Sequence, residues 1–253
     1  MSKVIIDKYT CPKKQITGEY LKVSQLFYDT VQGEGIYAGT PAIFLRLHGC
    51  TLNCLYCDTK DIWKEGVLIE VDEIIDIFSE YNLFFKLQQG AHLVITGGSP
   101  LLQQKALSVL FENLAEKGLE KFPKGFLFFI EMENECIIKP TPEILRFVTH
   151  WNNSPKLPSS GYTFTPPAPA YLKLFSNSTY KFVIQDEEDW QYLQRHYIET
   201  GVLKKKQIIL MPCAKNKKEL LDIQEFVMSL CIKENIRYGD RLHIRFWDDK
   251  KDV

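Results

Sequence analysis

The chain has 253 residues, 45% hydrophobic and 25% charged, and its 31 Lys and Arg nearly balance 32 Asp and Glu for a formal net charge of -1. Those fractions exclude disordered, collagen-like and disulfide-scaffold classes, and the length suits one α/β barrel or two small domains. Near-neutral charge gives no global field for polyanions, and no apolar run approaches the ~20 residues of a membrane-spanning helix, so neither nucleic acid nor membrane is expected as a partner.

Residues 1–8 hold no long apolar run followed by a small-residue cleavage site, so no secretory signal is expected and the cytosol is the expected compartment. Pro41 to Leu47 reads as a strand ended by the turn signal His48-Gly49, and three cysteines follow at once. Val71, Ile74, Ile75 and Phe78 then form the stripe of an amphipathic helix. His92 to Thr96 is a second strand, ending in Gly97-Gly98-Ser99-Pro100, with Leu107, Leu110, Phe111 and Leu114 marking the next helix. Phe126 to Ile130 is a third strand, and Thr141-Pro142-Glu143 opens a short helix with a cap and a proline at its first position. Five prolines between 153 and 178 suit an ordered loop or insertion. Tyr180 to Ile184 resumes as a strand, Asp186 to Asp189 starts an acidic helix, Gln207 to Leu210 precedes a helix through Leu220, Val227 and Leu230, and Leu242 to Phe246 reads as a last strand.

Strands alternating with helices predict an α/β fold with a mainly parallel sheet and crossover helices, as an open barrel or a doubly wound sheet. In such folds the chemistry gathers at the carboxyl ends of strands, and both the cysteine loop and Gly97-Gly98 directly follow strands.

Seven cysteines form an odd set with three crowded as Cys50-x3-Cys54-x2-Cys57, unlike a disulfide framework. Three thiolates from one short loop can hold a cubane cluster that leaves its fourth iron open to an added chelating ligand. They can equally make a structural zinc site completed by His48 or a distant Cys, or be buried cysteines grouped by chance. Spacing alone does not choose. Cys11, Cys136, Cys213 and Cys231 are expected to be unligated, and the lysines at 204–206 and 215–218 to form a solvated face.

Cys50-Thr51-Leu52-Asn53-Cys54-Leu55-Tyr56-Cys57 resembles the CxxxCxxC motif of radical S-adenosylmethionine enzymes, including the aromatic residue before the last Cys. The flanks narrow the likeness. Phe27 to Gly35, Gly39 to Cys50 and Cys57-Asp58-Thr59 resemble the 7-carboxy-7-deazaguanine synthase family of the queuosine and 7-deazapurine pathway, and further pieces recur in order at Thr96 to Gln103, Ser154-Pro155-Lys156, Lys181-Phe182-Val183, Met211-Pro212 and His243. The resemblance implies a single radical S-adenosylmethionine domain over residues 1–253, of the partial β/α barrel type, with a Pro-rich insertion near 153–178.

It also implies lyase chemistry: 6-carboxy-5,6,7,8-tetrahydropterin contracts its ring and loses ammonia to give 7-carboxy-7-deazaguanine. The implied cofactors are a 4Fe-4S cluster on Cys50, Cys54 and Cys57, S-adenosylmethionine chelated to the open iron through its amino and carboxylate groups, and Mg2+ on Thr59. The pterin would be held by Val31, Gln32, Gly33, Glu34, Arg46 and Thr96. S-adenosylmethionine would be held by Tyr56, Cys57, Asp58, Gly98, Ser154, Pro155, Lys156, Met211, Pro212, Cys213 and Ala214. No catalytic residue is implied beyond the cluster and its ligand; an electron donor such as flavodoxin or ferredoxin and a homodimer are implied partners.

The residue chemistry agrees. A guanidinium suits a carboxylate through two parallel hydrogen bonds, and a threonine hydroxyl is a hard oxygen ligand. Taken singly, Arg46 reads as a surface ion pair, Thr59 as a cap, residues 32–35 as a plain loop and Gly97-Gly98 as a tight turn. The chain also departs from the family. Ser99 stands where a GGEP motif has Glu, so the polar contact made there is shortened or replaced, and residues 131–135 replace a Glu-Thr strand end, with Glu131 or Glu133 as candidates for ribose contacts. His48 and His243 are expected to be structural imidazoles. Two other functions fit the cysteine loop: an activase that takes hydrogen from a glycine of a partner protein, and a non-catalytic zinc-binding module.

Overall fold

The computed structural model describes residues 2–162 and 167–251. Ten strands among them form one sheet: β1 (Lys3–Ile6), β2 (Tyr20–Val31), β3 (Pro41–Leu47), β4 (Val67–Glu70), β5 (His92–Gly97), β6 (Phe129–Asn134), β7 (His150–Asn153), β8 (Ser178–Ile184), β9 (Ile208–Pro212) and β10 (Arg237–Tyr238). Their order is β1-β2-β3-β5-β6-β7-β8-β9-β10, with β4 paired to β2. From β3 to β10 every pairing is parallel, whereas β2 is antiparallel to β1, β3 and β4. The sheet is mixed, mainly parallel and open, since β1 and β10 end the path without pairing.

Crossovers are supplied by α1 (Lys60–Trp63), α2 (Val71–Glu80), α3 (Leu83–Gln88), α4 (Gln104–Lys121), α5 (Pro142–Phe147), α6 (Pro169–Leu172), α7 (Glu187–Leu193) and α8 (Lys217–Glu234), with α9 (Leu242–Trp247) at the end. Capping follows the sequence signals. The side chains of Thr141, Asp186 and Asn216 accept from the backbone N–H groups of Ile144, Asp189 and Glu219.

Side chains alternate across each strand, so residues two apart share a face. Ile43, Leu45, Leu93, Ile95, Ile130, Met132 and Trp151 face α2, α4 and α5 in one apolar cluster with Phe78, Leu107 and Phe111. Tyr180, Phe182, Ile208 and Leu210 continue that face in a second cluster with Trp190 and Val227. Each fully buried Leu, Ile or Phe there contributes about 1.5–3 kcal/mol. The intervening residues point to the opposite face, where the pocket lies.

The last apolar segment is a helix, not a strand: Leu242, Ile244 and Phe246 alternate, yet only Ile244 is buried while Phe246 is 66% exposed. The third strand runs Phe129–Asn134 instead of Phe126–Ile130. β7 lies at the start of the Pro-rich stretch, and residues 163–166 of that stretch lie outside the described residues. No helix among the described residues is long and apolar enough to cross a membrane.

Candidate active site

One cavity of about 280 Å³ opens at the carboxyl ends of the parallel strands. The register aligns its floor, setting Arg46 beside Thr96, Glu133 beside Asn152 and Val183 beside Met211. A bulge in β2, with register shifting between Phe27 and Thr30 and Asp29 at φ +60°, turns the strand end toward the cavity. Beyond it, Gln32 N donates to Thr40 O and Gly39 N to Gln32 O, both at 2.8 Å, and Leu242 N donates to Gly33 O at 2.9 Å. These bonds fix the 32–40 loop and seat α9 against it.

The pocket face carries a continuous polar network. Glu131, fully buried, accepts from Gln32 Nε2 at 3.1 Å and Asn152 Nδ2 at 2.7 Å, and pairs with His92 Nδ1 at 2.7 Å. Burial opposes its ionisation, but these hydrogen bonds hold its carboxyl below the usual carboxylate range. Glu133 accepts from Lys181 Nζ at 3.0 Å, yet burial outweighs the lysine and the Glu133 carboxyl is pushed up. Lys181 also donates to Glu34 Oε2 at 2.5 Å. For Glu34 the balance reverses: against burial, the Lys181 ammonium and Arg241 guanidinium hold its carboxyl at about 2. Arg241 donates from Nε to Glu34 Oε1 at 3.0 Å, from Nη2 to Asp58 Oδ2 at 2.5 Å, and from Nη1 to Ala214 O. Burial likewise opposes ionisation of Asp58, and Arg241 outweighs it, so that carboxyl lies well below the usual range.

The cysteine loop forms the opposite wall. It is held by Gly49 N donating to Trp63 O and by Leu55 N donating to Ser160 O, each at 3.0 Å. Trp63 Nε1 donates to Cys57 Sγ at 3.4 Å and Leu52 N to Cys50 Sγ at 3.3 Å. All seven cysteines are free thiols, and Cys50, Cys54 and Cys57 line the cavity. Burial pushes the Cys50 and Cys54 thiols up. Among the described residues no three His, Cys, Asp or Glu side chains converge as one metal ion requires. Cys50, Cys54 and Cys57, carried on one loop and all lining the cavity, fit a cluster that takes one thiolate per iron. Gly98 sits against the loop so closely that an added Cβ would strike Gly49 O and Cys50 Cβ.

Residues 45–145 match the Radical SAM superfamily. Over 235 residues the chain is 31% identical to 7-carboxy-7-deazaguanine synthase of Pyrobaculum aerophilum, spanning 91% of this chain and 96% of that protein. It is 30% identical to the synthase of Halobacterium salinarum, over 92% of each chain. The chain belongs to the 7-carboxy-7-deazaguanine synthase family. Membership of the radical S-adenosylmethionine superfamily implies a 4Fe-4S cluster and S-adenosylmethionine. The solved QueE from Escherichia coli shares the fold, with TM-score 0.60 at 21% identity over 88% of this chain and 95% of that one.

Against the family's expected residues, Val31, Gln32, Gly33, Glu34, Arg46 and Thr96 all line the cavity. So do Tyr56, Asp58, Gly98, Ser154, Lys156, Met211 and Thr59, with Thr59 Oγ1 3.8 Å from Cys57 Sγ. Pro155, Pro212, Cys213 and Ala214 adjoin the lining without being part of it, although Ala214 meets Arg241 through its carbonyl. Of the two glutamates considered for ribose contacts, Glu133 lines the cavity and Glu131 lies behind it. The charged or titratable lining residues that the sequence does not mark as site residues include Lys181, Arg241, Glu135 and His243, whose Nε2 lies 3.9 Å from both Glu34 and Asp58. Lys215, expected on a solvated face, also lines the cavity and donates to Leu55 O at 3.1 Å. A signal for the first of these was present: a lone lysine between Tyr180 and Phe182 in a strand otherwise apolar to Ile184.

Proposed function

We propose that this chain is a 7-carboxy-7-deazaguanine synthase that converts 6-carboxy-5,6,7,8-tetrahydropterin to 7-carboxy-7-deazaguanine and ammonia. The observation that carries the reading is that three cysteine thiols and the charged set of Arg46, Glu34, Lys181 and Glu133 share one cavity. Substrate and product differ by one ammonia, so the net reaction needs no oxidant or reductant. When bound on Cys50, Cys54 and Cys57, the cluster with S-adenosylmethionine supplies a carbon radical able to abstract hydrogen.

The protein's own groups then position and shield. The Arg46 guanidinium, steadied by its Nε donating to Gln25 Oε1 at 3.1 Å, suits the substrate carboxylate. Glu34, held ionised by two cations, accepts from the amino edge of the pterin with Val31, Gln32, Gly33 and Thr96 around it. Glu133, whose carboxyl is pushed up by burial, stands at the pocket wall beside the Lys181 ammonium. Thr59, which lines the cavity, would offer a hard oxygen to Mg2+. Tyr56, Cys57, Asp58, Gly98, Ser154 to Lys156 and Met211 to Ala214 form the S-adenosylmethionine side, and Arg241 ties the two sides together by bridging Glu34 and Asp58. An external one-electron donor such as flavodoxin or ferredoxin, a homodimer and a cytoplasmic setting belong to the same reading.

Anaerobic incubation of iron-reconstituted protein with the carboxy-tetrahydropterin, S-adenosylmethionine and dithionite, followed by mass spectrometry, is expected to show the ring-contracted product. Iron-loaded protein that leaves the pterin unchanged, or a colourless protein with one tight zinc, overturns the reading. Arg46→Ala is expected to raise the KM for the pterin roughly 10- to 100-fold with iron content unchanged.

A further inference from the structure

Glu135 follows the last residue of β6 and is 5% exposed, yet it lines the cavity beside Cys50 and Gly98. Its Oε1 accepts from Thr51 Oγ1 at 3.2 Å, while its Oε2 is buried with no hydrogen-bond partner. A carboxyl oxygen that is buried and unmatched, on a residue lining the pocket, calls for a donor brought by a ligand. The neighbouring side chain cannot take that role. Ser99 is 1% exposed, accepts from Thr51 N at 2.9 Å, lies 3.7 Å from Cys50 Sγ and does not line the cavity. Thr51 Oγ1 lies 3.0 Å from Ser99 Oγ and so links the pair. Ser99 thus braces the cysteine loop, and Glu135 presents the acceptor.

We propose that Glu135 receives the α-amino group of S-adenosylmethionine. The inference rests on the synthase reading, in which that amino group sits at the cysteine loop. Lys156, whose Nζ is 3.0 Å from Ser154 Oγ, lines the same wall and carries the opposite charge for the carboxylate end of the ligand. A zwitterionic amino acid is thereby matched by one acid and one base.

The test is anaerobic equilibrium dialysis of cluster-bearing wild type and Glu135→Gln with labelled S-adenosylmethionine and with its 2-deamino analogue, alongside iron analysis. Glu135→Gln is expected to keep its iron, to weaken S-adenosylmethionine roughly 10- to 100-fold, and to bind the deamino analogue as wild type does. Unchanged affinity for S-adenosylmethionine overturns the assignment while leaving the synthase reading intact. An equal loss for both ligands overturns it too, because the side chain would then act only on the shape of the site. Wild type that fails to bind S-adenosylmethionine overturns both. If Glu135→Gln does not hold iron, Glu135→Asp carries the test: the same charge on a shorter arm is expected to lower the preference over the deamino analogue roughly 3- to 10-fold, and an unchanged preference overturns the proposal.

Discussion

Along β6, Ile130 and Met132 pack beneath the helices, while Glu131 and Glu133, each one position away, belong to the polar network on the other face. The same division runs through β3, where Leu45 meets the core and Arg46 the cavity, and through β8, where Phe182 is core and Lys181 is 6% exposed between two carboxylates. Both faces hold buried groups, but the consequences of burial differ. Apolar burial stabilises in proportion to area, whereas a buried ion pair gains little over a hydrophobic replacement and costs heavily when one partner is removed. The helix face explains why the chain folds, and the pocket face is intelligible only through what it binds.

Three perturbations separate the faces. The largest effect is expected on chemistry alone: Cys50→Ala, Cys54→Ala or Cys57→Ala should abolish iron binding and turnover, while denaturant unfolding of the iron-free protein shifts by less than about 1 kcal/mol. Next, Lys181→Met leaves the half-buried Glu34 and Glu133 without their shared cation and is expected to cost about 3–5 kcal/mol, comparable to the ~2–5 kcal/mol of Ile95→Ala in the core. Adding Glu34→Gln and Glu133→Gln to Lys181→Met should restore much of that loss in urea titrations. The cavity left by Ile95→Ala has no equivalent rescue, and failure of the triple variant to recover would break the distinction.

The smallest effect is a dependence on pH. Glu34 has a folded value of about 2 against an ordinary 4.5, so its contribution is present above about pH 4.5 and is lost as pH falls toward 2. Glu133 works in the opposite sense, because its raised carboxyl holds a proton more readily in the folded chain than in the unfolded one. Comparing unfolding free energies of wild type and Glu34→Gln between pH 5 and pH 2 should show a shallower acid limb in the variant.

The contrast between faces also explains what could be read from the sequence. Strands β3 and β5 and helices α2 and α4 declared themselves through apolar runs and 3.6-residue stripes, because their patterns report burial against other apolar groups. β7 did not: in His150-Trp151-Asn152-Asn153 every residue is buried, but only Trp151 looks so, since His150 and Asn152 point to the polar network. The apolar run at Phe126–Ile130 begins three residues before β6 for the same reason, since the glutamates of β6 resemble the end of a strand. β2 is hidden in the sequence because Lys22, Ser24, Gln25 and Asp29 interrupt its pattern, although Ser24 and Gln25 are buried between flanking strands. The cysteine loop and Gly97-Gly98 stood out by residue type. Lys181, Arg241 and Glu135 became site residues only once the sheet register and α9 brought distant segments together.

The close seating of the β5 turn on the cysteine loop sets a limit on how this protein can vary. Gly97, at φ +144°, would drive a Cβ into Leu47 O, and Gly98 would drive one into the backbone and side chain that precede the first sulfur. A library randomised at both positions and selected for iron retention should therefore return glycine almost alone, because even alanine displaces the donor atoms before it reaches any ligand. At that hinge between strand and loop the geometry leaves room for a single letter.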